Sequence, residues 1–278
     1  IDQRSFPREL AGPDYDADIP IHLEAELEVL IERYQVEFVF LSYSDLAHED
    51  VMHKASRVQA AGASFCLLGP KHNQLRSSRP VLSITAVRTG CGKSPISQKV
   101  AQHLRERGKR VGIVRHPMPY GDLTKQRVQR FAEQADLDRH SCTVEEREEY
   151  QPYLELGLTI YAGVDYAAIL ETAEKDNDVV LWDGGNNDLP FFQSGLQIVV
   201  VDPLRAGHEL RYYPGESNLR SADVVVISKV DGAKAEDLAL VRANVARHAP
   251  KAKVVEAALE IVVVDPTMIT GKRVLIIE

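Results

Sequence analysis

The sequence predicts an α/β protein with a doubly wound, mostly parallel sheet, preceded by a smaller α/β domain. Strand-like apolar runs alternate with helix-like segments along the chain, which is the order that builds a parallel sheet. Two of the runs, residues 198–201 and 224–227, are continuously apolar, as is typical of strands covered on both faces. A glycine-punctuated loop also follows one of the predicted strands directly. These observations place a ligand-binding loop on a twisted open sheet.

The first predicted domain covers residues 1–79 and resembles part of a Rossmann-like unit, with a linker at its end. Its predicted elements are a helix over 23–34, a strand over 37–41, a helix ending near 61 and a strand over 64–68. Ser44 and Asp45 are suitable caps for the second of these helices. The polar stretch 71–79, closed by Pro80, is the predicted linker.

The second predicted domain covers residues 80–278. Strands are predicted over 81–85, 110–115, 158–161, 179–182, 197–201, 224–228 and 253–256, and helices over 94–107 and from Thr143 to about 156. Thr143 and Glu146 form a capping box for the second helix. Because residues 273–278 read as a buried strand, we expect this domain to continue beyond Glu278.

The composition of the chain disfavours several classes of protein function. The chain has 278 residues and a net charge of −8, which disfavours general nucleic-acid binding. No segment approaches the roughly 20 apolar residues of a membrane span, and the three cysteines lack metal-ligand spacing. We therefore expect a cytoplasmic protein that acts on a small molecule. The oligomeric state stays open between a monomer and a homo-oligomer.

The loop after the first strand of the second domain is the strongest functional signal. Gly90, Cys91, Gly92, Lys93 and Ser94 stand between a strand and a helix. Glycines let backbone N–H groups converge on phosphate oxygens, lysine adds a full charge, and serine can ligate the Mg²⁺ that accompanies a nucleotide. The other interpretation is a turn with a surface lysine, and the ordered strand, glycines, Lys-Ser pair and helix disfavour it.

The loop departs from the common phosphate-loop pattern at Val87, where a glycine is usual. Residues 88–94 fit the deviant pattern of the signal-recognition, MinD and BioD class of P-loop proteins, in which a second cation precedes the glycines. Arg88 takes the place of that cation, although Thr89 stands where a glycine is usual. We therefore assign Arg88 and Lys93 to phosphate binding and catalysis.

Two further strand ends carry polar residues that suit a nucleotide site. Asp183 follows a buried strand and precedes two glycines, so it is a candidate catalytic residue and, with Ser94, a Mg²⁺ ligand. Lys229 and Asp231 lie in Ser-Lys-Val-Asp, which resembles the Asn/Thr-Lys-x-Asp element that recognises a nucleotide base. Ser228 departs from that element, so a polar strand end stays the alternative and the base stays open between adenine and guanine.

Basic loops after two other strands are candidate substrate sites. Arg115 and His116 begin a loop shaped by prolines and a glycine, and Arg205 and His208 lie in a second long loop rich in cations and tyrosines. Long loops at such strand ends often form the substrate side of a site. With Arg88, these four residues are the predicted clamp for an anionic substrate. A plain connector and a solvated basic loop are the alternatives.

Three longer strings resemble the cyclic 2,3-diphosphoglycerate synthetase family, and the likeness extends over nearly the whole chain. They are residues 85–94, 115–122 and 181–188, with 212–216 in support. The resemblance implies a P-loop NTPase that uses ATP and Mg²⁺ to close 2,3-bisphosphoglycerate into its cyclic pyrophosphate, releasing ADP and phosphate. Two alternatives stay open: a nucleotide-driven switch or metallochaperone-type GTPase, and a phosphoglycerate kinase-like phosphotransferase that does not cyclise its substrate.

Overall fold

A computed structural model describes residues 5–116, 121–184, 188–260, 263 and 265–275 of the chain. The strands are β1 (Ser5–Phe6), β2 (Ile19–Pro20), β3 (Phe38–Phe40), β4 (Leu46–Ala47), β5 (Ser64–Cys66), β6 (Val81–Ala86), β7 (Val111–Arg115), β8 (Gln129–Phe131), β9 (Thr159–Ala162), β10 (Val179–Asp183), β11 (Leu196–Val201), β12 (Tyr212–Tyr213), β13 (Val224–Ile227) and β14 (Lys253–Glu256). The α-helices are α1 (Arg8–Ala11), α2 (Leu27–Tyr34), α3 (His48–Ala60), α4 (Lys93–Glu106), α5 (Gln134–Arg139), α6 (Val144–Glu155), α7 (Tyr166–Asp176), α8 (Gly215–Arg220) and α9 (Ala235–His248). Short 3-10 turns lie between several of them.

Eight strands form the central sheet, in the order β14-β13-β11-β6-β10-β7-β9-β8. Every neighbouring pair is parallel except β8 with β9, which is antiparallel. The strand that leads into the glycine loop, β6, lies at the centre between β10 and β11. The predicted α/β fold with a large, mostly parallel sheet is therefore confirmed.

Both faces of this sheet are covered. Along β10, Leu181 packs into one hydrophobic cluster, while Val180 and Trp182 pack into another on the opposite face. This alternation follows from the two-residue period of a strand. Residues of α4, α6 and α9 belong to the first cluster and residues of α7 to the second. Helices on both faces explain why the central strands are continuously apolar.

The amino-terminal region has a small parallel sheet of its own, in which β3 pairs with β5. Ile31, Val58 and Ala63 form a separate hydrophobic cluster beside it. A second contact ties this region to the large sheet's loops, since β4 pairs antiparallel with β12. The division into 1–79 and 80–278 stays a prediction.

Several local predictions need correction. Ser44 and Asp45 do not cap α3, because that helix begins at His48 and has Ala47 at its N-cap. Antiparallel β8 was not expected, since its Gln-Arg-Phe sequence is short and lacks a clear alternation. The capping box of Thr143 and Glu146 is confirmed by both of its hydrogen bonds.

Parts of three predicted segments lie outside the described residues. These are 117–120 and 185–187, within two of the family-like strings, and 276–278 at the predicted last strand. Residues 273–275 are described and form no strand. Among the residues that the structure describes, no helix is both long and apolar enough to cross a membrane.

Candidate functional site

The glycine loop connects the central strand β6 to α4 at the carboxyl edge of the sheet. Gly90 and Gly92 adopt left-handed backbone conformations, with φ of 79° and 91°, which side chains disfavour. Gly92 is the N-cap of α4 and makes no side-chain cap hydrogen bond. The first N–H groups of a helix need acceptors, and phosphate oxygens supply them. The backbone is therefore shaped to receive an anion at this point.

Lys93, the first residue of α4, points toward the neighbouring strand. Its Nζ lies 2.5 Å from Oδ1 of Asp183, the last residue of β10. Ser97, one turn further along α4, donates to the same oxygen at 2.9 Å. The helix and the strand are thus joined through one carboxylate oxygen. Ser94 is half-buried beside Lys93.

The other oxygen of Asp183 is occupied as well. Oδ2 accepts hydrogen bonds from Arg115 at the end of β7 and, at 2.5 Å, from the Tyr153 hydroxyl on α6. Arg115 also pairs with Glu149, which lies one turn before Tyr153. Glu149 is therefore part of this network as well. Arg115 lies within this buried network, and its assignment to substrate binding stays a prediction.

Burial and charge act in opposite directions on this network. Burial would raise the pKa of Asp183, but the charges of Arg115 and Lys93 and the hydrogen bonds hold it well below its usual range. Burial lowers the pKa of Lys93, against the attraction of Asp183. Burial also raises the pKa of Tyr153. Its hydroxyl therefore stays protonated and donates a hydrogen bond to the carboxylate. The carboxylate stays charged at neutral pH.

A second carboxylate supports the loop from the other side of β6. Asp202 follows β11, is buried, and accepts hydrogen bonds from Arg205 and, at 3.0 Å, from Nζ of Lys229. Lys229 also donates to the carbonyl of Gly90 at 2.7 Å, and Ser228 donates to the carbonyl of Cys91 at 2.6 Å. These bonds hold the backbone of the glycine loop.

Lys229 and Asp231, the predicted base-recognition pair, have different partners in the structure. Lys229 lies against the glycine loop, as described above, and has a left-handed φ of 52°. Asp231 lies in the next turn, where its Oδ1 accepts the backbone N–H of Leu259 at 3.2 Å. One carboxylate oxygen of Asp231 therefore orders the segment that follows β14. Base recognition by this pair stays a prediction.

Arg88 lies at the opposite end of the loop, among residues from three segments. Its Nε donates to Oδ1 of Asp45 at 3.1 Å, and its Nη1 lies 3.3 Å from Nδ1 of His208. Its guanidinium carbon lies 3.8 Å from the centre of the Tyr212 ring. Burial lowers the pKa of His208, and the charges of Arg88, Arg205 and Arg211 lower it further. His208 is consequently kept neutral beside the cation.

His116 follows β7 and faces a different carboxylate. Its Nδ1 lies 3.1 Å from Oδ2 of Asp188 and 3.1 Å from the hydroxyl of Tyr166. Burial would raise the pKa of Asp188, but the hydrogen bond and charge of His116, with contributions from Ser44 and Lys93, lower it. His116 and Lys93 are therefore connected electrostatically through Asp188.

The structure groups the predicted residues into three clusters around the loop. Lys93, Asp183 and Arg115 form the buried cluster; Lys229 and Arg205 support the loop with Asp202; and Arg88 meets His208. Asp45, Tyr153 and Asp202 were not among the site residues predicted from the sequence. Asp202 carries a signal that was available, since it ends a buried strand in the same way as Asp183. Asp45 and Tyr153 become neighbours of the site only through folding.

Cys91 is almost completely buried within the loop. Burial raises the pKa of its thiol to about 12, with the charge of Arg205 opposing the shift. Cys91 is therefore a small side chain packed inside the protein. A thiolate nucleophile at this position is disfavoured.

Comparison with known proteins gives one curated relative at high identity. The chain is 56% identical over all its 278 residues to "Arginine synthetase ArcE" of Thermococcus kodakarensis, and it spans 62% of that protein's length. No protein-family model matches. The cyclic 2,3-diphosphoglycerate synthetase resemblance is not confirmed, because this relative is named differently. The prediction that the chain cyclises 2,3-bisphosphoglycerate is wrong on the same ground.

Solved structures of low similarity accompany this relative. They include the hydrogenase maturation factor HypB of Archaeoglobus fulgidus, 18% identical over 67% of this chain and 82% of that one, with a TM-score of 0.39. MinD of Aquifex aeolicus, in its complex with MinC, is 17% identical over 64% and 80%, with a TM-score of 0.36. The chain is thus similar at high identity to a protein named a synthetase, and it carries a glycine loop at the edge of a mostly parallel α/β sheet.

Proposed function

We propose that this chain is the nucleotide-binding part of a synthetase that uses ATP to form arginine. The observation that carries the proposal is the 56% identity, along the full chain, to a relative named arginine synthetase. The site agrees in kind, because a phosphate loop with Lys93 at a helix start suits a reaction driven by a nucleoside triphosphate. The chain spans only 62% of the relative's length. The activity of the whole protein, including the way it binds its other substrates, is therefore also part of the proposal.

The product's chemistry restricts the reaction. Arginine carries a guanidinium group, and the corresponding compound with an oxygen in place of one nitrogen is a ureido amino acid. Phosphate loops bind the β- and γ-phosphates of a nucleoside triphosphate. This favours transfer of the γ-phosphoryl group to the substrate over transfer of the adenylyl group. We infer that the ureido oxygen attacks the γ-phosphorus and that the bond to the ADP oxygen breaks. Ammonia then adds to the ureido carbon, the carbon–oxygen bond breaks, phosphate leaves with that oxygen, and the nitrogen loses a proton.

The residues of the loop have defined roles in this proposal. Lys93 and the N–H groups at the start of α4 neutralise the phosphoryl group during transfer. Asp183 holds Lys93 in place, since its Oδ1 lies 2.5 Å from Nζ. Arg88 supplies a second cation at the other end of the loop. We assign the binding of the second substrate to His116, whose Nδ1 pairs with Asp188.

Mg²⁺ fits this site in one particular way. Both oxygens of Asp183 already have protein partners, and no group of three or more His, Cys, Asp or Glu side chains among the described residues could hold a metal ion. Mg²⁺ usually binds through one or two protein oxygens together with substrate phosphates and water. Ser94 is the residue that would hold it beside a nucleotide, and the ion would supply charge neutralisation of the phosphates.

Product analysis with an isotope label tests the proposal. The full-length protein is incubated with MgATP, ammonia and citrulline whose ureido oxygen is ¹⁸O, and the products are followed by mass spectrometry and phosphorus NMR. We expect arginine, ADP and phosphate containing one ¹⁸O. Formation of AMP with ¹⁸O would contradict phosphoryl transfer. The absence of arginine with citrulline and ammonia would contradict the assigned substrates.

A matched variant separates this activity from contaminating enzymes. Lys93→Ala removes the phosphate-loop cation, whereas Lys99→Ala, on the exposed face of the same helix, leaves the loop intact. Arginine formation should disappear in the first variant and persist in the second. Equal activity in the two variants would show that this loop does not drive the reaction.

A further inference from the structure

The amino-terminal region reaches the phosphate loop through one short segment, residues 44–48. Leu46 and Ala47 form β4, which pairs with β12 in the loop that carries His208. The N–H of His48 donates to the carbonyl of Arg211 at 2.9 Å. The segment is therefore fixed by backbone hydrogen bonds to the loop between β11 and β13 of the large sheet, and its side chains are held at the edge of the site.

Asp45 makes two contacts with the phosphate loop. Oδ1 accepts from Nε of Arg88 at 3.1 Å, and Oδ2 accepts from the backbone N–H of Thr89 at 3.4 Å. Asp45 has a left-handed φ of 58°, a conformation that aspartate adopts more readily than most residues. One carboxylate thus engages both a side chain and the backbone of the same loop.

The guanidinium of Arg88 is held on more than one side by these partners. Asp45 accepts a hydrogen bond from Nε, and Nδ1 of the neutral His208 lies 3.3 Å from Nη1. The guanidinium carbon lies 3.8 Å from the centre of the Tyr212 ring. Arginine has a long, flexible side chain, so such partners select one of its many rotamers. Without Asp45, the charged partner in this arrangement is lost.

We propose that Asp45 is a positioning residue of the site, which holds Arg88 in the orientation that turnover requires. The proposal rests on the proposed function, because it takes Arg88 as a phosphate-binding cation. The amino-terminal region then contributes to catalysis through this carboxylate. Asp45 itself repels an anionic nucleotide, and so its benefit to turnover is separable from its effect on nucleotide affinity.

The variant Asp45→Asn tests this separation, because it removes the charge and keeps the shape. We expect kcat for ADP release to fall by about tenfold, as for a misplaced catalytic cation. Nucleotide affinity, measured with a fluorescent ATP analogue, should stay unchanged or become up to about threefold tighter, since a nearby negative charge is gone. Weaker nucleotide binding with a lower melting temperature would indicate a packing role and overturn the proposal.

The control is Asp178→Asn, which breaks an aspartate–arginine pair of similar geometry, 2.8 Å to Arg110, just before β10. Its kcat should equal that of the wild type. The variants Arg88→Ala and Asp45→Asn/Arg88→Ala should have the same kcat, because Asp45 acts through Arg88. Additive losses would overturn the proposal. ADP release and nucleotide affinity are measured apart from arginine, so a wild type that makes no arginine counts against the proposed function alone.

Discussion

The two carboxylates beside the central strand occupy equivalent positions and have different surroundings. Asp183 ends β10 and Asp202 follows β11, the strands on either side of β6, and each gathers two cations. Asp183 is fully buried and its partners Lys93 and Arg115 are 12% and 5% exposed. The partners of Asp202, Arg205 and Lys229, are 31% and 22% exposed.

The difference separates two tasks. Asp183 holds Lys93, the side chain assigned to the phosphate, within a buried network that also includes Tyr153. Asp202 holds Lys229, which in turn holds the carbonyl of Gly90 in the loop backbone. One carboxylate therefore orients a functional charge, and the other fixes the conformation of the loop that surrounds it. Substitutions on the Asp183 side and on the Asp202 side should therefore differ in their effects on turnover and on stability.

The largest expected effect is on turnover at the Asp183 side. Lys93→Ala should lower kcat by about a thousandfold or more, because it removes the cation that we propose neutralises the transferring phosphoryl group. Lys229→Ala, at the Asp202 side, should lower it by about tenfold, since the loop keeps its other hydrogen bonds. Steady-state ADP release measures both. Equal losses would remove the functional distinction between the two carboxylates.

Stability should also distinguish the two aspartates. Asp183→Asn removes the charge that Lys93 and Arg115 share in the buried network and leaves Arg115 paired with Glu149 alone. It should lower the free energy of unfolding by about 3–5 kcal/mol. Asp202→Asn should cost about 1–2 kcal/mol, because water reaches Arg205 and Lys229. Urea denaturation of the two variants measures this. A larger loss for Asp202→Asn would reverse the comparison.

The hydroxyl of Tyr153 is the neutral donor in the buried network around Asp183. Tyr153→Phe removes a donor to a buried carboxylate and should cost about 1.5–3 kcal/mol of unfolding free energy. Tyr150 provides a matched control on the same helix, because its buried hydroxyl has no hydrogen-bond partner among the described residues. Tyr150→Phe should be neutral or slightly stabilising. If both variants lose the same stability, the bond to Asp183 contributes nothing.

Acid should weaken the network around Asp183. The pKa of Asp183 is lowered from 3.8 in the folded protein, so its stabilisation is complete above pH 3.8 and is lost as the pH falls below that value. The loss should amount to about 1.4 kcal/mol per pH unit once the pH is well below 3.8. The measurement is the unfolding free energy of wild type minus Asp183→Asn between pH 5 and 3. A difference that does not change below pH 3.8 would contradict the depressed pKa.

The smallest effect concerns thiol reactivity in the loop. Cys91 is buried and its pKa is raised to about 12, whereas Cys66 is partly accessible. Iodoacetamide at pH 8 should therefore label Cys66 first and leave Cys91 unmodified in the folded protein, as read by peptide mass spectrometry. Rapid labelling of Cys91 would indicate that the loop opens in solution.

The sequence by itself was sufficient to predict the mostly parallel α/β sheet and a glycine loop at its edge, because both depend on local patterns. Apolar strands, glycines and a Lys-Ser pair are neighbours along the chain. Reading longer strings by likeness led to the wrong substrate, since similar strings occur around different chemistries on one fold.

Only the tertiary structure brings Asp45, Tyr153 and Asp202 to the loop. Asp45 lies 43 residues before Arg88, Tyr153 lies 30 residues before Asp183, and Asp202 lies 27 residues before Lys229. Such contacts are set by the order of strands in the sheet, which no local pattern encodes. Asp45 shows the consequence most clearly. Its sequence suggested a helix cap, and folding instead places its carboxylate against Arg88.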